Sequence, residues 1–475
     1  MKSNEHLYTN SDLCKLLIPI IVEQLLTCLM GTVDTMMVSN VGSAAISAVS
    51  LVDSINVLVI QALSALAAGG AILCSHYLGN NDEKSARHSA RQVLLVMTVL
   101  SVVLTLFCLI FRVPLLSLVF GKVDADVMSN SQTYFLFTLL SFPFIGLYDA
   151  GASIMRSQND SRRPMIISVS SNVLNIAGNA FLIFSLQMGV AGAAWATFAA
   201  QGAACILALI LLFRRVKSMN IQGGRLFSGA ALADIGKVAV PSVLQQSFIS
   251  VGNLFIQYMV NGFGSSIVAG YSAAIKLNTF AITCFTTIGN GMSSFTAQNI
   301  GANKPERIKK GFRSVLVFSL ATALVFFLLF FILSAPLLSL FMNEDSSQLA
   351  MDTGVQFLQI VAPFYFVVCL KLLCDGVLRG SESMGCFMAA TFTDLILRVI
   401  LAFILRWSMD SVTGIWISWP IAWTIATIMS VAFYKSGIWT KKLKTVPEAE
   451  KKEELAEEEL VDEILEENVN MTPDK

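Results

Sequence analysis

The chain has 475 residues, of which 55% are hydrophobic and only 13% charged. A soluble globular chain carries about 25% charged residues, so this one lacks the charge to solvate an ordinary surface, and a secreted disulfide scaffold, a nucleic-acid binder and a disordered chain are all excluded. The formal net charge of zero hides two compartments: residues 446–475 hold twelve acids and three lysines, leaving an excess of nine basic residues on the rest of the chain.

Since an apolar stretch of about 20 residues crosses a bilayer as a helix and lipid admits no open sheet, the fold class is an all-α integral membrane protein. Apolar runs predict twelve spans near 13–39, 44–78, 84–116, 126–155, 163–185, 190–215, 232–261, 266–300, 306–338, 348–378, 386–408 and 412–440. The first is not a cleaved signal peptide, being too long, interrupted by Glu23 and Asp34 and without an A-x-A site. With the N-terminus in the cytoplasm, the inner loops 79–91, 155–164, 214–237, 300–313 and 379–385 collect 17 Lys and Arg, against Arg112 and Lys122 outside. That bias places both termini inside. The nine cysteines lie in or beside apolar segments with no Cys-x-x-Cys, and the three histidines form no His-Glu-x-x-His, so no metal or disulfide is expected.

The chain repeats itself. A shift of 222 residues puts Pro19 on Pro241, Gly42 on Gly264, Asn56 on Asn278, Gly69 on Gly291, Gly79 on Gly301, Asn81 on Asn303 and Gly192 on Gly414. Six spans separate the copies, so both halves share one orientation. The expected organisation is a cytoplasmic N-terminus (1–12), an N-lobe (13–215), an inter-lobe loop (216–231), a C-lobe (232–440) and an acidic cytoplasmic tail (441–475). Two parallel-repeat six-helix bundles are a transporter's architecture.

Particular motifs sharpen this. "GTVDTMMVSNVG" near the end of span one, "MRSQNDSRRPM" and "LRGSESMG" after spans four and ten, "NVLNIAGNAFLI" on span five and "GVAGAAWATFAAQ" on span six together resemble the multidrug and toxic compound extrusion (MATE) family over residues 10–440. The resemblance implies a cleft between two lobes and export of organic, often cationic, drugs or metabolites in exchange for inward H+ or Na+. It implies no cofactor beyond that coupling ion. The implied partners are small organic substrates and the lipid bilayer, with no nucleic acid, for a functional monomer in a bacterial-type plasma membrane.

Asp34 is the first candidate for coupling, because a carboxylate inside an apolar span costs about 2.5–3.5 kcal/mol on insertion scales and is retained where it faces a cavity; the alternative is a structural Asp near the outer mouth, solvated by loop 39–43. Asn175 and Asn179 are one turn apart on span five, and Thr197 follows on span six. By resemblance to DinF-like members these four form a cation-coupling site, although Asn179 stands where those members place an acid. The alternative for each Asn is packing glue between helices. Under the 222 shift the four fall on Ile256, Leu397, Leu401 and Trp419, which suggests a function confined to the N-lobe. Pro19 is a candidate hinge by the same resemblance; a symmetric kink shared with Pro241 explains it equally.

In the C-lobe, Lys371 with Asp375 and Asp394 with Arg398 are spaced for structural ion pairs. A sharper reading has Gln245, Gln246, Lys276 and Asp375 lining the substrate cleft. Glu23, Asp53 and Asp149 receive no role. A lipid-linked oligosaccharide flippase is the competing transport reading. An enzyme is not expected, for no nucleophile–base pair or metal-ligand cluster lies at membrane depth, and the P-loop of a primary pump is missing.

Overall fold

The computed structural model describes residues 10–120, 125–217, 229–342 and 347–441, and every regular element among them is helical. Twelve helices are long and apolar enough to cross a membrane: α1 (Leu17–Val38), α2 (Ser47–Gly79), α3 (Glu83–Ile110), α4 (Ala125–Ser157), α5 (Arg162–Ser185), α6 (Gly189–Arg214), α7 (Ile235–Asn261), α8 (Ser265–Gly301), α9 (Pro305–Ile332), α10 (Gln348–Gly380), α11 (Met384–Met409) and α12 (Thr413–Lys435). The expected fold class is therefore observed. Residues 1–9, most of the loop 216–231 and the acidic tail beyond Lys441 lie outside the described residues.

Two spans end sooner than their hydropathy suggests. The third and ninth stop at Ile110 and Ile332, and the chain re-enters short helices at Arg112–Phe120 and Ser334–Ser339. Pro114 and Pro336 fall in the first turn of these new helices, where proline is tolerated, whereas in a continuing helix it would remove a backbone bond and clash with the preceding turn. Pro19 and Pro241, by contrast, lie inside unbroken helices.

The repeat is visible in the backbone itself. Asn81 and Asn303 both take positive φ, 56° and 58°, at the turn after α2 and α8, and Gly42 and Gly264 both do so before those helices. Across the lobe boundary, a Cβ on Gly79 would meet the Gln298 carbonyl oxygen at 1.8 Å, and one on Gly301 would meet the His76 carbonyl oxygen at 2.0 Å. His76 and Gln298 are themselves 222 residues apart, so these contacts are one contact seen twice. Only glycine admits such an approach. Each lobe also packs alike: α2 lies against α4 and α7, as α8 lies against α10 and α1.

The register does not hold at 222 throughout. Positive φ recurs at Asn159 and Glu382, and at Gln187 and Asp410, both 223 apart. Helices α4 and α10 likewise start and finish 223 apart, while α3 and α9 keep 222. One extra residue therefore enters before α10, and the register returns to 222 by Gly192 and Gly414, whose Cβ positions would abut Leu182 and Leu405 respectively. This corrects the expected counterparts of Asn175 and Asn179. They are Arg398 and Ala402, both buried like the asparagines, rather than the half-buried Leu397 and Leu401. The C-lobe is thus not apolar at all four positions.

Candidate functional site

Helices α1, α5 and α6 bring Asp34, Asn175, Asn179 and Thr197 together. Asn175 and Asn179 share the buried face of α5, 7% and 1% exposed, because residues four apart lie one above the other on a helix. Asn179 Nδ2 donates to Asp34 Oδ1 at 2.7 Å. The Asn175 amide is oriented by its neighbours: with nitrogen toward Asp34 it donates at 2.8 Å to Oδ1 and 3.1 Å to Oδ2, while its oxygen accepts from Thr197 Oγ1 and backbone N, each at 3.2 Å. The reversed amide would turn its oxygen onto the carboxylate. Ala193 O, one turn back on α6, lies 3.0 Å from Thr197 Oγ1 and shares its single hydroxyl proton with the Asn175 oxygen. Immediately after Asn179, α5 widens into a turn of π-helix over Ala180–Ser185, a local feature frequent at functional sites.

This cluster opens onto a cavity of about 190 Å³ within the N-lobe. Two further elements line it. From α2 come Asp53 and Asn56, and from α4 come Tyr134 and Thr138. Tyr134 Oη donates to Asp53 Oδ1 at 3.3 Å, and Asn56 Nδ2 donates to the same oxygen at 3.4 Å. The cavity thus holds two carboxylates from different helices, with no lysine, arginine or histidine on its wall. Among the described residues no three His, Cys, Asp or Glu side chains gather as a metal cluster, and the donor set is oxygen throughout, which suits a proton or a hard cation. Sequence reasoning gave Asp53 no role. The signal was present, since Asp53 falls on Ile275 under the repeat, the same loss of charge as Asp34 against Ile256.

Glu23 is also better defined than its sequence context suggests. It is buried, and Arg156 Nη2 reaches its two carboxylate oxygens at 2.8 and 2.7 Å. Tyr148 Oη donates to Glu23 Oε1 at 3.0 Å. Glu23 therefore ties α1 to the end of α4 one turn beyond Pro19. Asp149 accepts from the Ser64 hydroxyl.

In the C-lobe, Lys371 Nζ donates to Asp375 Oδ2 at 2.7 Å, and Ser430 Oγ to Asp375 Oδ1 at 2.6 Å. Both charged residues are 3% exposed. Asp375 is therefore enclosed in an ion pair facing α12, while Lys276 is exposed; the expectation that the two share the cleft surface is corrected by this burial. Gln245 and Gln246 are half-buried on α7, and the Ser250 hydroxyl has its single proton within reach of two acceptors, the Gln246 carbonyl at 3.1 Å and Gln61 Oε1 of the other lobe at 3.3 Å. The second expected pair does not close. Arg398 instead lies over Trp419, its guanidinium carbon 4.5 Å from the ring centroid, as the one-residue register change dictates.

Comparison with known proteins agrees with this architecture. The family model described as MatE matches residues 19–181 and again 241–404. The two matches start 222 residues apart and finish 223 apart, following the register found in the backbone. The chain is 24% identical to "Probable multidrug resistance protein YoeA" of Bacillus subtilis, with 90% of this chain and 93% of that protein covered. It is 22% identical to "Probable multidrug resistance protein NorM" of Thermotoga maritima, covering 91% and 93%. A solved outward-facing conformation of a multidrug resistance MATE family transporter superposes with a TM-score of 0.83 at 21% identity, over 90% of this chain and 95% of that one.

Proposed function

This chain belongs to the MATE family, whose model it matches over more than half its length, and we propose that it is a multidrug efflux transporter, a secondary antiporter that exports organic, often cationic, compounds against inward H+ or Na+. The observation that carries the coupling is the N-lobe cavity, where Asp34 accepts hydrogen bonds from Asn179 and from Asn175 in its satisfied orientation. A carboxylate with two amide donors at membrane depth exchanges a proton or a cation for its neighbours' hydrogen bonds. That gives each state of the cycle a different set of contacts, as a ligand must if it is to shift a conformational equilibrium. The pattern is DinF-like in position, with one acid fewer on α5.

The relatives by sequence and structure are transporters rather than enzymes. The flippase reading is not favoured, for it draws only on the shared repeat. The basic inner loops support cytoplasmic termini in a bacterial-type plasma membrane, and the two lobes supply alternating access within a single chain.

The test is ethidium efflux from everted vesicles energised separately by a pH gradient and by a sodium gradient. Asp34→Asn, which keeps size and hydrogen bonding but fixes a neutral group, is expected to reduce gradient-driven efflux to background while the protein still inserts. Normal efflux by this variant would remove Asp34 from the mechanism.

A further inference from the structure

We infer that Asp53 on α2 is a second cation-binding carboxylate, which with Asp34 and the free side-chain oxygens of Asn56 and Asn179 forms an all-oxygen site for a hard monovalent cation, sodium. The inference rests on the coupling role of the N-lobe cavity and extends it by naming the ion and the residue that completes its binding. Four observations converge.

Asp34 and Asp53 line one cavity of about 190 Å³, ample for an ion and its residual water. Their helices are distinct, and no basic side chain stands between them. Two carboxylates enclosed at membrane depth without a counter-charge call for a cation or for protons.

The remaining polar atoms point to a cation. Asn56 Oδ1 and Asn179 Oδ1 are buried and accept no hydrogen bond; their residues are 6% and 1% exposed, and both line the cavity. In each case the amide nitrogen is already committed to a carboxylate. A buried acceptor without a partner is costly. Here two such acceptors sit on the wall that carries the two acids.

The other lobe supplies the contrast. Asn278 is the repeat partner of Asn56, and its Oδ1 accepts from the Tyr365 hydroxyl at 3.0 Å. Phe142 occupies the position corresponding to Tyr365 and offers no hydroxyl, so the same buried asparagine oxygen is bonded in one lobe and unbonded in the other. Asp53 is likewise replaced by Ile275. The acid and the open amide therefore occur together.

The carboxylate of Asp53 is also held for the purpose. Tyr134 and Asn56 both donate to Oδ1, and among the described residues no donor reaches Oδ2. Two acids and two amide oxygens make a hard, all-oxygen ligand set of the kind that suits a small hard cation.

The test is sodium binding by the purified full-length protein in nanodiscs, followed by calorimetry and by thermal unfolding at constant ionic strength, with choline replacing sodium. Sodium, and not choline, is expected to bind and to raise the unfolding temperature. Asp53→Asn is expected to weaken sodium binding at least tenfold, and Asp53→Glu to retain most of it. Asn56→Leu, which removes only the open oxygen and its amide, is expected to weaken binding about threefold and serves if Asp53→Asn does not fold. Equal stabilisation by choline, or wild-type sodium affinity in Asp53→Asn or in Asn56→Leu, overturns the inference. If Asp34→Asn still abolishes efflux in that case, the coupling role of Asp34 stands and only the second carboxylate is lost; if Asp34→Asn transports normally, the parent reading fails instead.

Discussion

The two lobes share a backbone plan and fill it with opposite chemistry. At the positions where the N-lobe has Ala194, Thr197 and Gln201 on α6, the C-lobe has Trp416, Trp419 and Trp423 on α12, all at most 4% exposed. Trp416 stacks on Tyr271 at 5.0 Å between centroids, and Phe357 meets it edge-on at 5.1 Å. Where the N-lobe has Asp34 and Asp53 on its cavity wall and Asn175 against Asp34, the C-lobe has Ile256, Ile275 and Arg398. Aromatic rings and a fixed guanidinium thus occupy the space that in the N-lobe is open and acidic. Arg398 over Trp419 even sets a permanent cation at the register position of Asn175. With ion exchange assigned to the N-lobe cavity, as proposed above, the other copy is free to become a rigid core, and large buried aromatics serve that well.

The most direct way to break this comparison is to make the N-lobe resemble the C-lobe. Thr197→Trp imports the residue found at the corresponding place on α12. The ring would fill much of the cavity and displace the Asn175 contact to Thr197. Efflux is expected to fall to vesicle background while membrane insertion and yield are retained, because the C-lobe shows that the backbone accommodates tryptophan there. Substantial efflux by Thr197→Trp would mean that the cavity is not on the ion path.

The C-lobe predicts the next largest effect, on stability. Lys371→Met leaves Asp375 buried with only Ser430 as partner. Stranding one member of a buried pair costs about 3–5 kcal/mol, and thermal unfolding in detergent should register it. Converting both, Lys371→Met with Asp375→Leu, is expected to recover most of that loss. Were the single variant as stable as wild type, the pair would not be a structural core.

Much of this architecture was legible in the amino-acid pattern, for definite physical reasons. Lipid enforces long apolar helices, so the spans and their doubling stand out, and Asp34 is conspicuous because carboxylates are costly there. The i, i+4 spacing of Asn175 and Asn179 read correctly as one face. What did not emerge depends on contacts between distant helices. Asp53 joins the cavity only because α2 and α1 flank it; nothing local announces that. Glu23 meets Arg156 across 133 residues. The one-residue insertion before α10 is invisible in a gap-free shift, yet it exchanges Leu397 for Arg398 as the counterpart of Asn175, since a single residue turns a helix face by about 100°.

Asn179→Asp sharpens the comparison without breaking it. It adds a carboxylate to the cavity whose wall already lacks a basic side chain, beside Asp34 at the position where Asn179 now donates 2.7 Å away. More negative charge holds a hard cation more tightly, so the sodium concentration for half-maximal efflux should drop several-fold while proton-driven efflux declines. Unchanged sodium dependence would show that Asn179 does not face the bound ion.

The smallest effect separates the lobes at their surfaces. Helix α3 is capped by Asp82, whose Oδ1 accepts from the Ser85 backbone N–H at 3.0 Å. Its counterpart Lys304 stands at the start of α9 without a side-chain capping bond, and Pro305 follows at the first helical position, where proline removes one donor that would otherwise need a partner. The same helix start is thus stabilised by an acceptor in one lobe and by a missing donor in the other. Asp82→Ala is expected to cost about 1 kcal/mol, and Lys304→Ala nothing through capping. Hydrogen bonds from the Ser85 side chain and backbone hold the Asp82 carboxyl below its ordinary range. For a group so lowered, the stabilisation is present above the unfolded value, near 4, and is lost as pH falls through the folded one. The stability difference between wild type and Asp82→Ala should therefore be constant from neutral pH down to about 5 and shrink only below about 4. Equal costs for Asp82→Ala and Lys304→Ala at neutral pH would show that the side chain of Asp82 does not cap α3 in the membrane-bound protein.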